Sequence, residues 1–414
     1  MNVDKLVREA LQEQATEQDG PRGDLAGRVL TARRRRRTRA IAGAALGTAA
    51  VVAAAVGVTA FGTGGSDGSG GDDPRPAGRT HGGDVIAHPD QSVPRDFVAA
   101  GNVGMAGYAV SRDIPQKNGD SLLVRQYFLL NPATKKYEKA DAKWAWVAVA
   151  PGMRTAAVLE GELPARRIGM LDLRTGEVTR WITTDRPVAA VEWSPDGKRL
   201  LATAYSKNPD RLIDRPGDHA ISGPQPHPSR TGYFVIDAGS GEVGPFRPLP
   251  QPRAEKDGYF PGVSREDMHW NRDGTRLFVM VYEGPRGANY RDWYTPGGAK
   301  TPAPPGERHT GWPRAGLSPD GKLLADDSHA RTSAIRDPRT GKEVARVPSQ
   351  EQLAWADSKR LVALACDPAR CTGDAFGMRL VVVTVGSEKA VPLTAIRKSP
   401  EGYKRLWSPM LTTR

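Results

Sequence analysis

The hydrophobic and polar positions divide the chain into regions of different period. Across residues 3–11 the apolar side chains fall at Val3, Leu6, Val7, Ala10 and Leu11. That spacing traces one face of a short α-helix. Residues 40–61, AIAGAALGTAAVVAAAVGVTAF, carry no charge over 22 residues. At the helical rise this length crosses a bilayer core, so the stretch predicts a transmembrane helix. Residues 62–94 are rich in Gly, Ser, Asp and Pro and read as a flexible tether. From residue 95 to 414 the apolar positions come in short strand-like runs cut by tight-turn residues.

This last region repeats itself. WSPDGKRLLA at 193–202, WNRDGTRLFV at 270–279, LSPDGKLLAD at 317–326 and WADSKRLVAL at 355–364 share one pattern, with a looser copy, VAPGMRTAAV, at 149–158. Pro195 presets the backbone for a turn, and Gly197 takes the left-handed conformation that strains other residues. A second hairpin follows: DLRTGEVTRW at 172–181, DAGSGEVGPF at 237–246 and DPRTGKEVARV at 337–347, with NPATKKYEKA at 131–140 as a degenerate version. Each unit is therefore two hairpins, or four strands. Aligned on the end of the first strand, the units fall at Val149, Trp193, Trp270, Leu317, Trp355 and Trp407, spaced by 44, 77, 47, 38 and 52 residues. Apart from 77, which contains an insertion at 206–231, these spacings suit a four-stranded propeller blade. The sequence KRLWS at 404–408 is expected to complete a first blade drawn from about residues 105–141.

These turns and Asp-x-x-Thr-Gly-Glu hairpins resemble the blades of bacterial TolB-type and WD-repeat-like propellers. The resemblance covers about 320 residues. It implies an all-β fold, a six-bladed β-propeller of four-stranded blades, or seven-bladed if DFVAAG at 96–101 opens a blade of its own. The His-Gly and Trp-Asp pairs of WD blades are missing, and the unit after Trp270 has a weak second hairpin, placed at 290–304.

Charge then orients the chain. The formal net charge is +12 and the mean hydropathy −0.50, which excludes a multi-span transporter. Residues 1–39 hold ten basic and six acidic residues, with Arg33–Arg37 and Arg39 directly before the apolar stretch. Basic residues before a span and Asp67, Asp72 and Asp73 after it place the N-terminus in the cytoplasm and the repeats outside. A cleaved signal peptide is the competing reading, but its apolar region is shorter and its leading segment is short. The remaining charge is mixed in sign along the chain, so no nucleic-acid groove is expected.

No catalytic constellation stands out. The seven histidines have no metal-ligand spacing, and no cofactor fingerprint occurs. The GxSxG match at 64–68 lies in the tether, not on a strand–turn–helix elbow. Trp193, Trp270 and Trp355 fit packing positions between blades, whereas Tyr290, Trp293, Tyr294 and Trp312 are less regular and read as exposed. Cys366 and Cys371 flank a short loop and are expected to form a disulfide in an oxidising compartment. Long loops on a rigid scaffold carry binding. The candidate partner-binding rim is accordingly Asp210, Arg211, Asp214, Arg215, His219 and His227, with Tyr290, Trp293 and Tyr294. The expected function is a non-catalytic, membrane-anchored, extracytoplasmic module that binds or senses a protein or cell-envelope ligand. Two alternatives stand beside it. One is an anti-sigma-like transmembrane regulator whose face Val3, Leu6, Val7 and Leu11 docks a cytosolic partner. The other is a propeller hydrolase or lyase.

Overall fold

The computed structural model describes residues 84–212, 229–250, 265–280, 291–310, 314–329, 331–367 and 377–414. The tail at 1–39, the stretch at 40–61 and most of the tether lie outside these residues. Among the described residues no helix is long and apolar enough to cross a membrane. The described chain is all-β, with one 3₁₀ turn at Pro305–Glu307.

Six antiparallel meanders follow one another, each built from the hairpin pair seen in the repeat. The first contains Val103–Pro115, Ser121–Asn131 and Lys136–Lys139. The second contains Trp144–Val149, Thr155–Glu160, Ala165–Asp172 and the first half of Val178–Trp193. The third takes the second half of that same strand, then Arg199–Tyr205, Arg230–Asp237 and Arg247–Pro248. One 16-residue strand thus serves two units, so the second and third merge into a continuous seven-stranded sheet. The fourth is Met268–Trp270, Leu277–Met280, Arg291–Tyr294 and Lys300–Thr301. Leu324–His329, Thr332–Arg336 and Glu343–Val347 form the fifth, where Leu317 bridges Leu324. Glu351–Trp355, Arg360–Cys366, Met378–Thr384 and Ala390–Pro392 form the sixth.

The turn chemistry explains why the hairpins recur. Ser194 and Ser318 are fully buried, and each hydroxyl donates to the Asp two residues on while accepting a backbone N–H five residues on. Asn271 accepts the same backbone bond at its own turn. In the second hairpin, Asp172, Asp237 and Asp337 accept N–H groups from the following turn, and these bonds hold each carboxyl below its ordinary range. Gly176, Gly241 and Gly341 take the left-handed position, with φ of 76°, 81° and 69°. In the degenerate copy Asn131 is the acceptor and Lys135 holds that position at φ 58°.

Two boundaries differ from the sequence expectation. Among the described residues strand pairing begins at Val85, which pairs with Ala100 inside the first sheet, ahead of residue 95. Ala99–Ala100 therefore belongs to that sheet and opens no seventh unit. The closing strand is Ser408–Thr413, not KRLWS. It pairs antiparallel with Val103–Ala109, while Trp407 is fully buried and donates to the Ser92 carbonyl.

Contacts link neighbouring sheets and the crossover turn Pro305–Glu307; from the first sheet to the second, Tyr127 Oη donates to Ala145 O. Trp193 Nε1 donates to Ala148, Met268 N to Thr203 Oγ1, Asn271 Nδ2 to Glu307, and Trp355 Nε1 to Gly316. From sixth to first, Asn102 N donates to Ala356 O at 2.9 Å. The apolar core lies between sheet faces: Leu159, Ile168, Leu200 and Ile236 pack in one cluster, and Ile335, Leu361 and Val381 in another. Each such side chain contributes about 1.5–3 kcal/mol by leaving water.

Candidate functional site

A cavity of about 440 Å³ takes its wall from the innermost strand or segment of all six sheets: Met410–Thr413, Ala148–Val149, Glu192–Trp193, Trp270, Ala315–Leu317 and Leu353–Trp355. In the second to sixth sheets, the residue just before the aligned strand end reads Ala148, Glu192, His269, Gly316 and Ala354. It is small in three sheets and ionisable in the third and fourth. Alternation buries Val191 and Met268 in the sheet faces and leaves Glu192 and His269 only partly covered.

There the side chains pair. His269 Nδ1 lies 2.6 Å from Glu192 Oε2, and Glu192 Oε1 accepts the Trp270 backbone N–H at 3.0 Å. Burial alone would push the His269 imidazole down, but the Glu192 carboxylate outweighs it and raises the ring above its ordinary value. Next to this pair, the crossover turn Pro305–Glu307 delivers Glu307, 5 % exposed. Its Oε1 accepts from Asn271 Nδ2 at 3.2 Å, and its Oε2 lies 3.9 Å from Arg291. Burial raises the Glu307 carboxyl against the pull of Asn271 and Arg291. It also lowers the Arg291 guanidinium to about 10, with Glu307 opposing. Arg291 stacks on Phe278 at 4.1 Å. Arg272 and Arg314, both exposed, complete the charged side of the wall. Among the described residues no group of three or more His, Cys, Asp or Glu could hold a metal ion.

The expected rim residues fall elsewhere. Asp210 is 3 % exposed and sits at the hub of an ion network. It accepts both ends of Arg125 at 2.7 and 2.8 Å and Arg265 Nη1 at 2.7 Å. Arg265 also bonds Asp267 at 3.0 Å and stacks on Trp146 at 4.2 Å. Arg211 pairs with Asp120, and Arg211–Leu212 adds a short strand to the first sheet. Asp210 and Arg211 are thus anchors, because neighbouring sheets meet at this loop and their arginines need a buried counter-charge. Trp293 and Tyr294 are buried as well, 3 % and 6 % exposed. They sit on the third strand of the fourth sheet, where Trp293 packs 5.1 Å from Phe278 and Tyr294 joins the core between the third and fourth sheets. This corrects the expectation of exposed aromatics. Asp214, Arg215, His219, His227, Tyr290, Trp312, Val3, Leu6, Val7 and Leu11 lie outside the described residues. Cys366 is disulfide-bonded and ends the second strand of the sixth sheet; Cys371, the one other cysteine, is outside the described residues.

No family model matches the chain, and no curated protein matches it. Solved structures do. TolB from Acinetobacter baumannii is similar at 17 % identity over 72 % of this chain and 67 % of that one, with a TM-score of 0.37. Hydrazine synthase from Kuenenia stuttgartiensis is similar at 13 % identity over 70 % of this chain and 80 % of that one, with a TM-score of 0.31. Matches this loose carry no argument about function.

Proposed function

We propose that the described region is a closed six-bladed β-propeller that works as a non-catalytic binding or sensing module. On this reading residues 40–61 hold it at the outer face of a cell membrane as a single span, with residues 1–39 in the cytoplasm. A protein or cell-envelope ligand meets the rim that carries the insertion at 206–230.

The observation that carries this reading is the pinned stem of that insertion. Ser206 N donates to Ser229 O at 2.8 Å, closing the two ends of the loop on each other. Asp210 and Arg211 then tie the outgoing arm to Arg125, Arg265 and Asp120. A loop held rigidly at its base presents its tip at lower ordering cost on binding. Crosslinking in intact cells tests the proposal: a chain lacking residues 213–228 should lose the captured partner. Unchanged capture removes the rim from the account. Protease added to intact cells should cut the repeats and spare residues 1–39.

The charged cavity favours a second reading, a hydrolase or lyase, because it places Glu192 and Glu307 in one recess. Both carboxylates already engage partners, Glu192 with His269 and Glu307 with Asn271, so binding is the better account. Turnover of an ester or glycoside that Glu307→Gln abolishes would shift the reading to an enzyme.

A further inference from the structure

We infer that a recess on the first sheet is a binding site for a neutral pyranose sugar, with Phe128 and Tyr403 against its apolar face and the Tyr108 hydroxyl meeting its hydroxyl groups.

The strand register builds the floor. Pro409, Tyr108, Phe128 and Lys139 fall in one row across four strands of the first sheet. Tyr127, next to Phe128, points to the opposite face and donates to Ala145 of the second sheet. Tyr108 and Phe128 stack at 4.7 Å with their planes 10° apart. A tight turn brings Tyr403 to the same face: its N–H donates to Pro400 O at 3.0 Å, and Gly402 takes φ 79°. The Tyr403 ring stands edge-on to Phe128, 6.3 Å away and at 76°. Both rings are partly exposed, so they form an open apolar corner. The Ser92 carbonyl accepts Trp407 Nε1 at 2.8 Å and Lys398 N at 3.3 Å, which ties the two irregular segments of the wall together. A site fixed in this way loses little freedom on binding. The recess holds about 580 Å³, which suits a small molecule.

A hydroxyl is left over in it. Tyr127, Tyr137, Tyr205 and Tyr233 each donate to a carbonyl or carboxylate oxygen. Tyr108 is 3 % exposed, yet its Oη has no partner among the described residues. Nor is that oxygen sealed from water, so it opens into the recess that Tyr108 lines. Burial pushes the phenol up, with Tyr403 adding to the effect, and the group stays protonated as a donor. The side-chain hydroxyl of Ser92, on the same wall, also has no partner among the described residues. Buried polar groups ordinarily find one, and ligand oxygens would supply it.

The chemistry of the wall selects the ligand class. A hydroxyl both gives and accepts a hydrogen bond, as the hydroxyls of a sugar do. The exposed edge carries both signs, Asp90 and Glu401 against Arg95, Lys139 and Lys398, so it favours neither an anion nor a cation. A wholly apolar ligand would leave Tyr108 Oη unpaired. A proline-rich peptide docks in grooves between aromatic rings, and the Tyr108–Phe128 stack leaves no such groove.

The test is saturation-transfer NMR on the full-length chain with the methyl glycosides of glucose, galactose, mannose and N-acetylglucosamine, beside sorbitol, cyclohexanol and a decaproline peptide. At least one glycoside should bind saturably. Sorbitol, which has the hydroxyls without the ring face, and cyclohexanol, which has the ring with a single hydroxyl, should bind roughly tenfold or more weakly. Tyr108→Phe keeps the ring stack and should weaken the glycoside about fivefold to tenfold. Its unfolding temperature should be unchanged, because the hydroxyl holds nothing in the free protein. Tyr403→Ala removes one side of the corner and should weaken the glycoside by about tenfold. The inference is overturned by no saturable binding of any of the four glycosides, by sorbitol or cyclohexanol binding as well as they do, or by decaproline binding in their place. A Tyr108→Phe or Tyr403→Ala variant that binds like the native chain overturns it equally. Deleting residues 213–228 removes none of the residues that line this recess, so the rim and the recess fail independently.

Discussion

Removing the Asp210 carboxylate is the sharpest test of how the sheets are held together. Asp210 is nearly inaccessible and its two arginines little less so, with side chains 13–14 % exposed. Breaking a buried ion pair from one side costs about 3–5 kcal/mol, mostly because a charge is left behind. In Asp210→Ala, Arg265 keeps Asp267 and the Ala189 carbonyl. Arg125 keeps only its contact with Trp146, at 5.3 Å. One cation is stranded and one is mostly compensated, which places the loss near the low end, about 3 kcal/mol. Asp210→Asn retains shape and hydrogen-bonding capacity and should lose about 2 kcal/mol. The pH dependence has a definite sign. Burial would raise the Asp210 carboxyl, but Arg125 and Arg265 outweigh it and hold it below the ordinary 3.8. A depressed folded-state value means the contribution is complete above pH 3.8 and disappears as pH falls through the lowered value. Urea unfolding at pH 7 and at pH 3 measures both effects. A loss for Asp210→Ala below about 1 kcal/mol at pH 7 would mean the node behaves as a solvent-screened surface pair, and the argument fails.

Three further outcomes follow from other features. Lys135→Gly should raise stability by about 0.5–1 kcal/mol in urea unfolding, because glycine takes φ 58° without the steric cost lysine meets there. Asp337→Asn should be less stable than the native chain at pH 7. That gap should narrow below pH 3.8, since the Arg339 and Thr340 N–H bonds depress the Asp337 carboxyl and their benefit goes as it protonates. Ending the chain at Trp407 removes the strand paired with Val103–Ala109 and bares that edge; size-exclusion chromatography should then show self-association, and a monomer of unchanged proteolytic resistance would contradict the closure.

The charged cavity was within reach of the repeat alignment. Reading the column before the aligned strand ends of the second to sixth sheets, Ala148, Glu192, His269, Gly316, Ala354, singles out two ionisable residues at an inward position. Glu307 and Arg291 had no such signal. One lies on a crossover turn and the other on a third strand, and they meet only because the fourth sheet packs beside the fifth. Asp210 and Arg211 looked like rim residues because charged loop positions ordinarily face water; here the facing sheets supply Arg125, Arg265 and Asp120 as partners. Tyr294 and Trp293 looked irregular because their strand lacks the turn motif, but a β-strand alternates regardless, and both faces of this sheet are covered.

Local chemistry alone determined the hairpins of this protein. A Ser or Asn that caps its own turn, an Asp that gathers the next N–H groups and a Gly at positive φ are interactions within about six residues, so they are legible without a fold. Which hairpins became neighbours, how one strand came to serve two sheets, and which strand closed the first sheet depended on surfaces brought together from far along the chain. Those choices are made by burial and by charges seeking partners across sheets, and only the tertiary structure records them.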